Sequence, residues 1–235
     1  MKWRARIGAV VLTVLSTNPA SLWAAPLPGF VLRSETARVS TYAREGQRVE
    51  AQKIERYLVR MEELLGQRVP EHVRYYRYEL PQEIAAATGR FADGVAYTAA
   101  CEIHSVSAFH PHEIVHIVAG QLGDPGNFFQ EGLAVTLGDG GRWRGRDVDG
   151  VARRSPEVGH VSRLLSWDGW LTSDDGYFLA GSFVGYLVRT QGLPKVVAFF
   201  RATPRADTPL AFRKTFGMSL DEAGAQWASA IGASS

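Results

Sequence analysis

The chain has 235 residues, a formal net charge of +2 and a single cysteine, Cys101. Without residues 1–24, which have the pattern of an export signal, 23 Lys and Arg stand against 24 Asp and Glu. A nearly neutral chain gives no electrostatic reason to expect nucleic acid or an anionic membrane as a partner. A lone cysteine excludes an intramolecular disulfide bond, so stability has to come from a hydrophobic core.

Residues 1–24 are predicted to be a secretory signal peptide. A basic start precedes the apolar run Ile7–Leu15, and small residues follow around Ala24, where we place the cleavage site. The apolar run is shorter than the roughly 20 residues that a membrane-spanning helix needs. We therefore expect an exported protein, periplasmic or secreted, with no stable membrane insertion after cleavage and with a single domain over residues 25–235.

Helices and strands alternate in the first half of the predicted domain. Apolar residues recur at helical spacing over Val49–Leu65, and Gly66 is a typical helix end. The aromatic segment at residues 72–78 fits a strand, and PQEIAAATG at residues 81–89 fits a short helix. GVAYTAACEI, at residues 94–103, is predicted to be a second strand, in which Cys101 is a small buried residue.

The second half of the domain is predicted to be helical. One helix begins at Pro111 and ends before Gly123, and NFFQEGLAVTL follows with Asn127 and Gln130 as a capping box. Residues 138–150, rich in glycine and charge, are predicted to form an exposed loop. Four more helices are expected, at residues 176–192, 193–203, 208–217 and 219–232, the last with a capping box of Ser219 and Glu222. The expected fold class is α+β, with a short early sheet and a mostly helical second half.

The segment HEIVH places His112, Glu113 and His116 in the pattern H-E-x-x-H. Residues four positions apart share a helix face, so both imidazoles can point at one ion, with Glu113 about 100° further around the helix. Alternatively, the three are polar residues on the exposed side of an amphipathic helix. Their apolar neighbours instead favour a mostly buried helix, in which a metal ion would satisfy these polar groups.

A catalytic zinc site needs a third protein ligand and an open position. Glu131 is the best candidate, because a turn at residues 124–127 would let its helix fold back against the first helix. Gly132, which follows it, leaves room for a close approach. Asp124 and Asp139 are weaker candidates, since the first is too near the histidines in sequence and the second lies past the helix end. The alternative role for Glu131 is that of an acidic residue favoured at a helix start.

HEIVH followed by FFQEGLA resembles the gluzincin metallopeptidases, and most closely the peptidase-MA-like group. Members of that group combine H-E-x-x-H with a glutamate in an E-G-L-A segment on the next helix. The resemblance implies a thermolysin-like zincin fold in which His112, His116 and Glu131 hold Zn²⁺. It also implies that Glu113 is the general base.

The later segment YFLAGSFVGYL is similar to the helix after the glutamate helix in this group and in the aminopeptidase branch. In that branch the leading tyrosine stabilises the oxyanion, a role that falls by position on Tyr177. The alternative is that Tyr177 packs in an apolar helix stripe. The aminopeptidase branch also has a G-x-M-E-N segment before its zinc helix, whereas this chain has GVAYT from Gly94. Strict aminopeptidase specificity is therefore not expected.

The expected function is zinc-dependent hydrolysis of a peptide or protein substrate by metal-activated water. An extended substrate could add to the strand at residues 94–103 through main-chain hydrogen bonds. Two alternatives stay open, a catalytically inactive binding or assembly module of the cell envelope and an exported helical protein whose histidines bind nothing. Of the other histidines, His72 and His160 are predicted to be surface residues, while His104 and His110 are close enough to the motif to touch substrate.

Overall fold

The computed structural model describes residues 27–166, 174–203 and 207–233. The predicted signal peptide at residues 1–24 lies outside these ranges. The described chain is α+β, which confirms the predicted fold class, with its main sheet early and helices in the second half. Among the described helices, none is both long enough and apolar enough to cross a membrane.

The main sheet has five strands in the spatial order β1-β2-β3-β5-β4. The strands β2, β3 and β5 run parallel, and the edge strands β1 and β4 are antiparallel to their neighbours. The bounds of the five strands are β1 Val31–Glu35, β2 Val39–Ala43, β3 Val73–Arg77, β4 Gly94–Tyr97 and β5 Glu102–Ser105.

The helices begin between the strands and continue to the end of the described chain. Two of them, α1 and α2, lie between strands, and the other eight follow β5. Their bounds are α1 Ala51–Leu65, α2 Pro81–Thr88, α3 Pro111–Ala119, α4 Asn127–Leu137, α5 Val148–Ala152, α6 Val161–Ser166, α7 Asp174–Gln191, α8 Leu193–Ala202, α9 Thr208–Phe216 and α10 Leu220–Ala230. The helix predicted from Pro111 to Gly123 is therefore shorter than expected.

The two faces of the sheet have different coverings. On one face, α1 and α3 pack against residues such as Val39, Tyr75 and Ile103, and this core continues through the later helices to Trp227. On the other face, a smaller cluster of mostly aromatic residues packs against α2; it consists of Phe30, Tyr42, Tyr76, Tyr78, Ile84 and Val95. The helix that carries H-E-x-x-H thus lies between the sheet and the helical half, where water is largely excluded.

The prediction of one strand over residues 94–103 is wrong. The segment forms β4, a single 3-10 turn at Thr98–Ala100 and then β5, which pairs antiparallel with β4. Cys101 makes the reversal possible with a φ of 50°, and its side chain is buried, as predicted. The apolar run hides this turn because both strands supply residues to the interior. As a result, β4 rather than a longer strand is the sheet edge beside α3.

Helix caps were predicted with mixed success. Ser219 and Glu222 form the expected capping box, in which each side chain accepts a hydrogen bond from the other residue's backbone N–H. The predicted box of Asn127 and Gln130 is wrong. Gly126 is the N-cap of α4 with a φ of 93°, and the Gln130 side chain donates to the carbonyl of Gly123 instead.

Candidate metal centre

The α3 helix begins at Pro111 and presents the first two residues of the motif to the interior. Pro111 suits the first turn because its missing N–H has no partner there in any helix. His112 is 3 % exposed and Glu113 is 6 % exposed, so they do not lie on a solvent face. His116 is one turn further along, and its side chain is 16 % exposed. Polar groups buried this deeply need partners, and the neighbouring helix supplies one.

That partner is Glu131, on the first turns of α4. Its Oε2 lies 3.0 Å from Nε2 of His112 and 3.2 Å from Nε2 of His116. The two Nε2 atoms are 3.1 Å apart. Three potential ligand atoms from two helices therefore converge on one small volume, and these residues are the group in the described chain with the arrangement of a metal site.

The spacing of these atoms fits a small tetrahedral ion. Zinc bonds to imidazole nitrogen and carboxylate oxygen are about 2.1 Å long, and tetrahedral geometry then puts neighbouring ligand atoms about 3.4 Å apart. The separations of 3.0–3.2 Å are only slightly shorter. Two imidazoles and one carboxylate also form a donor set that zinc accepts in catalytic sites. The site residues present thus fit the ion that the sequence predicts.

Asp139 lies on the other side of the His112 ring. Its Oδ2 is 2.6 Å from Nδ1 of His112, which leaves Nε2 of that ring directed at Glu131. Carboxylates in this position fix the tautomer and the orientation of a ligand histidine. Asp139 was considered as a weaker ligand candidate, and the structure places it behind a ligand candidate instead. Asp124 is not part of this cluster and accepts a hydrogen bond from the backbone N–H of Gly126.

Charge within the cluster already favours a cation. Burial disfavours the charged form of His112, but hydrogen bonds to Asp139 and Glu131 outweigh it and raise its pKa from 6.5 to about 10. Burial likewise raises the pKa of Glu131, but the adjacent His116 and His112 lower it well below its usual range. In the metal-free protein a proton on His112 therefore balances nearby carboxylates. A bound metal cation would take over that electrostatic role.

Glu113 lies between α3 and the edge strand β4. A Cβ atom at Gly94, the first residue of β4, would lie 2.7 Å from Cγ of Glu113 and 2.5 Å from the ring of His110. Only glycine gives Glu113 this space without displacing a side chain. The carboxylate of the motif is thus held next to the sheet edge, on the same helix as the two histidines.

The segment predicted to be an exposed loop at residues 138–150 is exposed over most of residues 140–147, as predicted, but it forms a hairpin and a short helix rather than a loop. The strands β6 Arg142–Trp143 and β7 Arg146–Asp147 are joined by a two-residue turn in which both φ values are positive, as a type I′ turn requires. Trp143 is half-buried, with its ring centroid 5.5 Å from that of His112. The glycines and charges of the segment indicated exposure, and its one large apolar residue was the signal that we missed.

Tyr177 contacts the same Trp143 ring that lies beside His112. The Tyr177 and Trp143 rings stack at a centroid distance of 4.2 Å with 5° between their planes. The helix α7 that carries Tyr177 packs closely on α4, since a Cβ atom at Gly132 would lie 2.5 Å from the carbonyl oxygen of Ala180. The room predicted at Gly132 thus serves the contact with α7 rather than the contact with α3. The packing role of Tyr177 is visible, and its role in the chemistry stays a prediction.

Of the four histidines outside the H-E-x-x-H motif, one lies near the motif and three lie elsewhere. Nδ1 of His110 is 2.8 Å from Oγ of Ser105, close to Glu113, and burial lowers the pKa of this imidazole. His104 lies among the tyrosines on the opposite face of the sheet, with its Nδ1 2.9 Å from the hydroxyl of Tyr78. His160 is exposed as predicted. His72, which was also predicted to be exposed, is half-buried and 2.9 Å from Oγ of Ser40. Only His110 is positioned near the motif.

Comparison with known proteins does not assign a family to this chain. No protein-family model matches it, and no curated protein matches it significantly.

Proposed function

We propose that this protein is an exported zinc-dependent peptidase of the gluzincin, peptidase-MA-like kind, with a thermolysin-like zincin domain. In this proposal His112, His116 and Glu131 bind Zn²⁺, and Glu113 is the general base. The observation that carries the proposal is the convergence of three ligand atoms within 3.0–3.2 Å of one another, from a helix with H-E-x-x-H and from the helix after it.

Two further features support a catalytic site over a structural zinc site. Structural zinc sites are closed by four protein ligands, whereas among the residues that the structure describes three side chains converge, and Asp139 is used behind His112. The second feature is Glu113, a carboxylate that is 6 % exposed and adjacent to the ligand candidates. Burial of a carboxylate costs free energy, and a role as the base that activates water would explain why this chain retains one here.

The protein's own groups would act in a defined order. A bound Zn²⁺ would supply a Lewis acid that lowers the pKa of water to about 7 and polarises a carbonyl oxygen. Glu113 would accept the proton of the attacking water and deliver it to the departing amine. Tyr177, in the role that the resemblance implies, would donate a hydrogen bond to the oxygen on which negative charge develops.

The edge strand β4 gives such a substrate a place to bind. It is antiparallel to β5 and forms the side of the main sheet nearest α3. An extended peptide can pair with a free sheet edge through main-chain hydrogen bonds, which requires no particular side chains. Because Glu113 packs against Gly94 of this strand, the scissile bond of a peptide paired there would lie close to the proposed base.

The test combines metal content with turnover. Elemental mass spectrometry of the purified mature protein should give about one zinc per chain, and the Glu131→Ala variant should give much less. A pool of quenched fluorescent peptides should be hydrolysed by the zinc-loaded protein, while Glu113→Gln should keep the zinc and lose the turnover. Turnover that survives Glu113→Gln would refute the mechanism. Absence of zinc after reconstitution would refute the metal centre.

A further inference from the structure

His110 lies where the edge strand β4 meets the helix of the metal centre. A Cβ atom at Gly94 would be 2.5 Å from Cε1 of His110 and 2.7 Å from Cγ of Glu113. These two side-chain atoms are therefore no further apart than the sum of the two distances, 5.2 Å. The His110 ring centroid is also 6.2 Å from that of His112. The imidazole thus adjoins the proposed base, one proposed metal ligand and the first residue of β4.

The Nδ1 atom of His110 is held by Ser105, the last residue of β5. Oγ of Ser105 is 2.8 Å from Nδ1 and 3.4 Å from the carbonyl oxygen of Asp93. The same Oγ accepts a hydrogen bond from the backbone N–H of Ser107. A hydroxyl has one proton to donate, and the shorter contact gives that proton to Nδ1. The ring's own proton is then on Nε2, which makes Nε2 a hydrogen-bond donor.

The Nε2 atom of His110 is accessible to a ligand. Among the described residues, the hydrogen bond of this ring is the one to Ser105, and Nε2 is not one of the buried side-chain atoms that lack a partner. Nε2 is therefore open to water, although the residue as a whole is half-buried. A ring that is fixed through its other nitrogen loses little conformational freedom when it binds a ligand. His110 is thus prepared to donate one hydrogen bond beside the proposed base.

We propose that His110 binds the main chain of the peptide substrate, with Nε2–H donating a hydrogen bond to a carbonyl oxygen next to the scissile bond. The proposal rests on the proposed peptidase function and adds a substrate-binding residue to it. A peptide paired with β4 presents carbonyl oxygens along that edge, and His110 packs against Gly94 at its start. Every peptide has such an acceptor, so this contact holds the substrate without selecting its side chains.

Two substitutions separate this role from a purely structural one. Counted in bonds from the backbone, the amide group of asparagine reaches the position of Nδ1 and that of glutamine reaches the position of Nε2. His110→Asn therefore keeps the contact with Ser105 and removes the donor to the substrate, whereas His110→Gln does the reverse. His160→Asn, which makes the same change at an exposed histidine, is the matched control.

Binding and turnover are measured with the peptide of the pool that the wild type hydrolyses fastest. Fluorescence anisotropy gives its Kd for zinc-loaded protein in the Glu113→Gln background, which requires no turnover, and the quenched form gives KM and kcat in the background with Glu113. His110→Asn should raise Kd and KM about fivefold, which corresponds to ~1 kcal/mol, and leave kcat nearly unchanged, because the lost contact is equally strong before and during the reaction. His110→Gln and His160→Asn should stay within about twofold of their parent in Kd. Zinc content should be the same in all variants.

A second measurement tests the contact with the carbonyl oxygen itself. In a series of peptides, one peptide bond at a time beside the scissile bond is replaced by a trans-alkene, which keeps the shape of the bond and removes its carbonyl. At one position the alkene should weaken binding to the parent protein, and His110→Asn should then add no further loss, because both changes remove the same hydrogen bond.

The outcomes distinguish this inference from the proposed function. An unchanged Kd in His110→Asn, a greater loss in His110→Gln than in His110→Asn, a loss of zinc, or a loss of kcat alone would overturn the role of His110 and leave the proposed function standing. Losses that add at every alkene position would overturn it in the same way. Absence of hydrolysis and of binding for every peptide of the pool would overturn it together with the proposed function.

Discussion

Asp139→Asn should weaken zinc binding although Asp139 does not touch the proposed ion position. Its Oδ2 accepts a hydrogen bond from Nδ1 of His112 at 2.6 Å, and the His112 side chain is 4 % exposed. Asparagine keeps the shape of the side chain and removes its charge. We therefore expect the His112 ring to lose electrostatic support without a change in packing.

The magnitude follows from the type of hydrogen bond that is lost. Hydrogen bonds to charged groups contribute about 1.5–3 kcal/mol, and those between neutral groups contribute about 1 kcal/mol. The substitution should therefore cost about 1–2 kcal/mol, which corresponds to an increase of about tenfold in the zinc Kd. Loss of such partners behind ligand histidines generally costs about 10–100-fold in metal affinity, so the lower part of that range is expected.

Competition with a chromophoric chelator measures this zinc Kd. The matched control is Asp147→Asn, which makes the same change at an aspartate whose side chain accepts a hydrogen bond from Gly150 as the N-cap of α5. Chemical denaturation of the metal-free proteins checks that both variants fold. A zinc Kd for Asp139→Asn within about twofold of the wild-type value would refute the role of this carboxylate, since that range corresponds to less than about 0.5 kcal/mol.

Four further predictions concern the base, the aromatic pair and a helix cap. Gly94→Ala should lower the free energy of unfolding by about 1–3 kcal/mol and reduce turnover more than zinc content, because the added methyl group would displace Glu113. Denaturation, peptide assays and metal analysis measure these three quantities. Unchanged turnover would contradict the placement of the base. Tyr177→Phe keeps the stacked ring, so stability should hold while kcat falls about 100-fold if the hydroxyl binds the oxyanion; an unchanged kcat would assign the residue to packing alone. Ser219→Ala should cost about 1 kcal/mol in thermal or chemical denaturation. The hydrogen bond from the backbone N–H of Ser219 lowers the pKa of Glu222 in the folded protein. The loss of stability caused by Glu222→Gln should therefore be present above pH 4.5 and should vanish as the pH falls through the lower folded-state pKa. A loss of stability that is independent of pH would contradict this hydrogen bond.

Local features of the sequence determined the parts of the protein that depend on neighbours along the chain. The spacing of His112 and His116 fixes a common helix face, and Pro111 marks the start of that helix. The Ser219 cap follows equally from a short pattern, because its two hydrogen bonds join residues three positions apart. The α+β class follows from where helical and strand periodicities occur.

Other features depended on which elements meet in space. Trp143 looked like part of an exposed loop because its partners, His112 and Tyr177, are distant in sequence and on different helices. The break between β4 and β5 was hidden because β4, the turn and Cys101 form one mostly apolar run, and only the antiparallel pairing of the two strands requires the turn at Cys101.

The carboxylates near the histidines show most clearly what the sequence determined and what the tertiary structure decided. From sequence, Glu131 was the best candidate for a third ligand, since its helix can fold back on the first, and Asp139 was a weaker one, since it lies past the helix end. The packing of α4 on α3 brings Glu131 to the Nε2 atoms and Asp139 to the Nδ1 atom of His112. The sequence determined which chemical groups were present and which of them share a helix face. The tertiary structure decided which ring nitrogen each carboxylate meets, because that depends on the contact between two helices and on no spacing within either one.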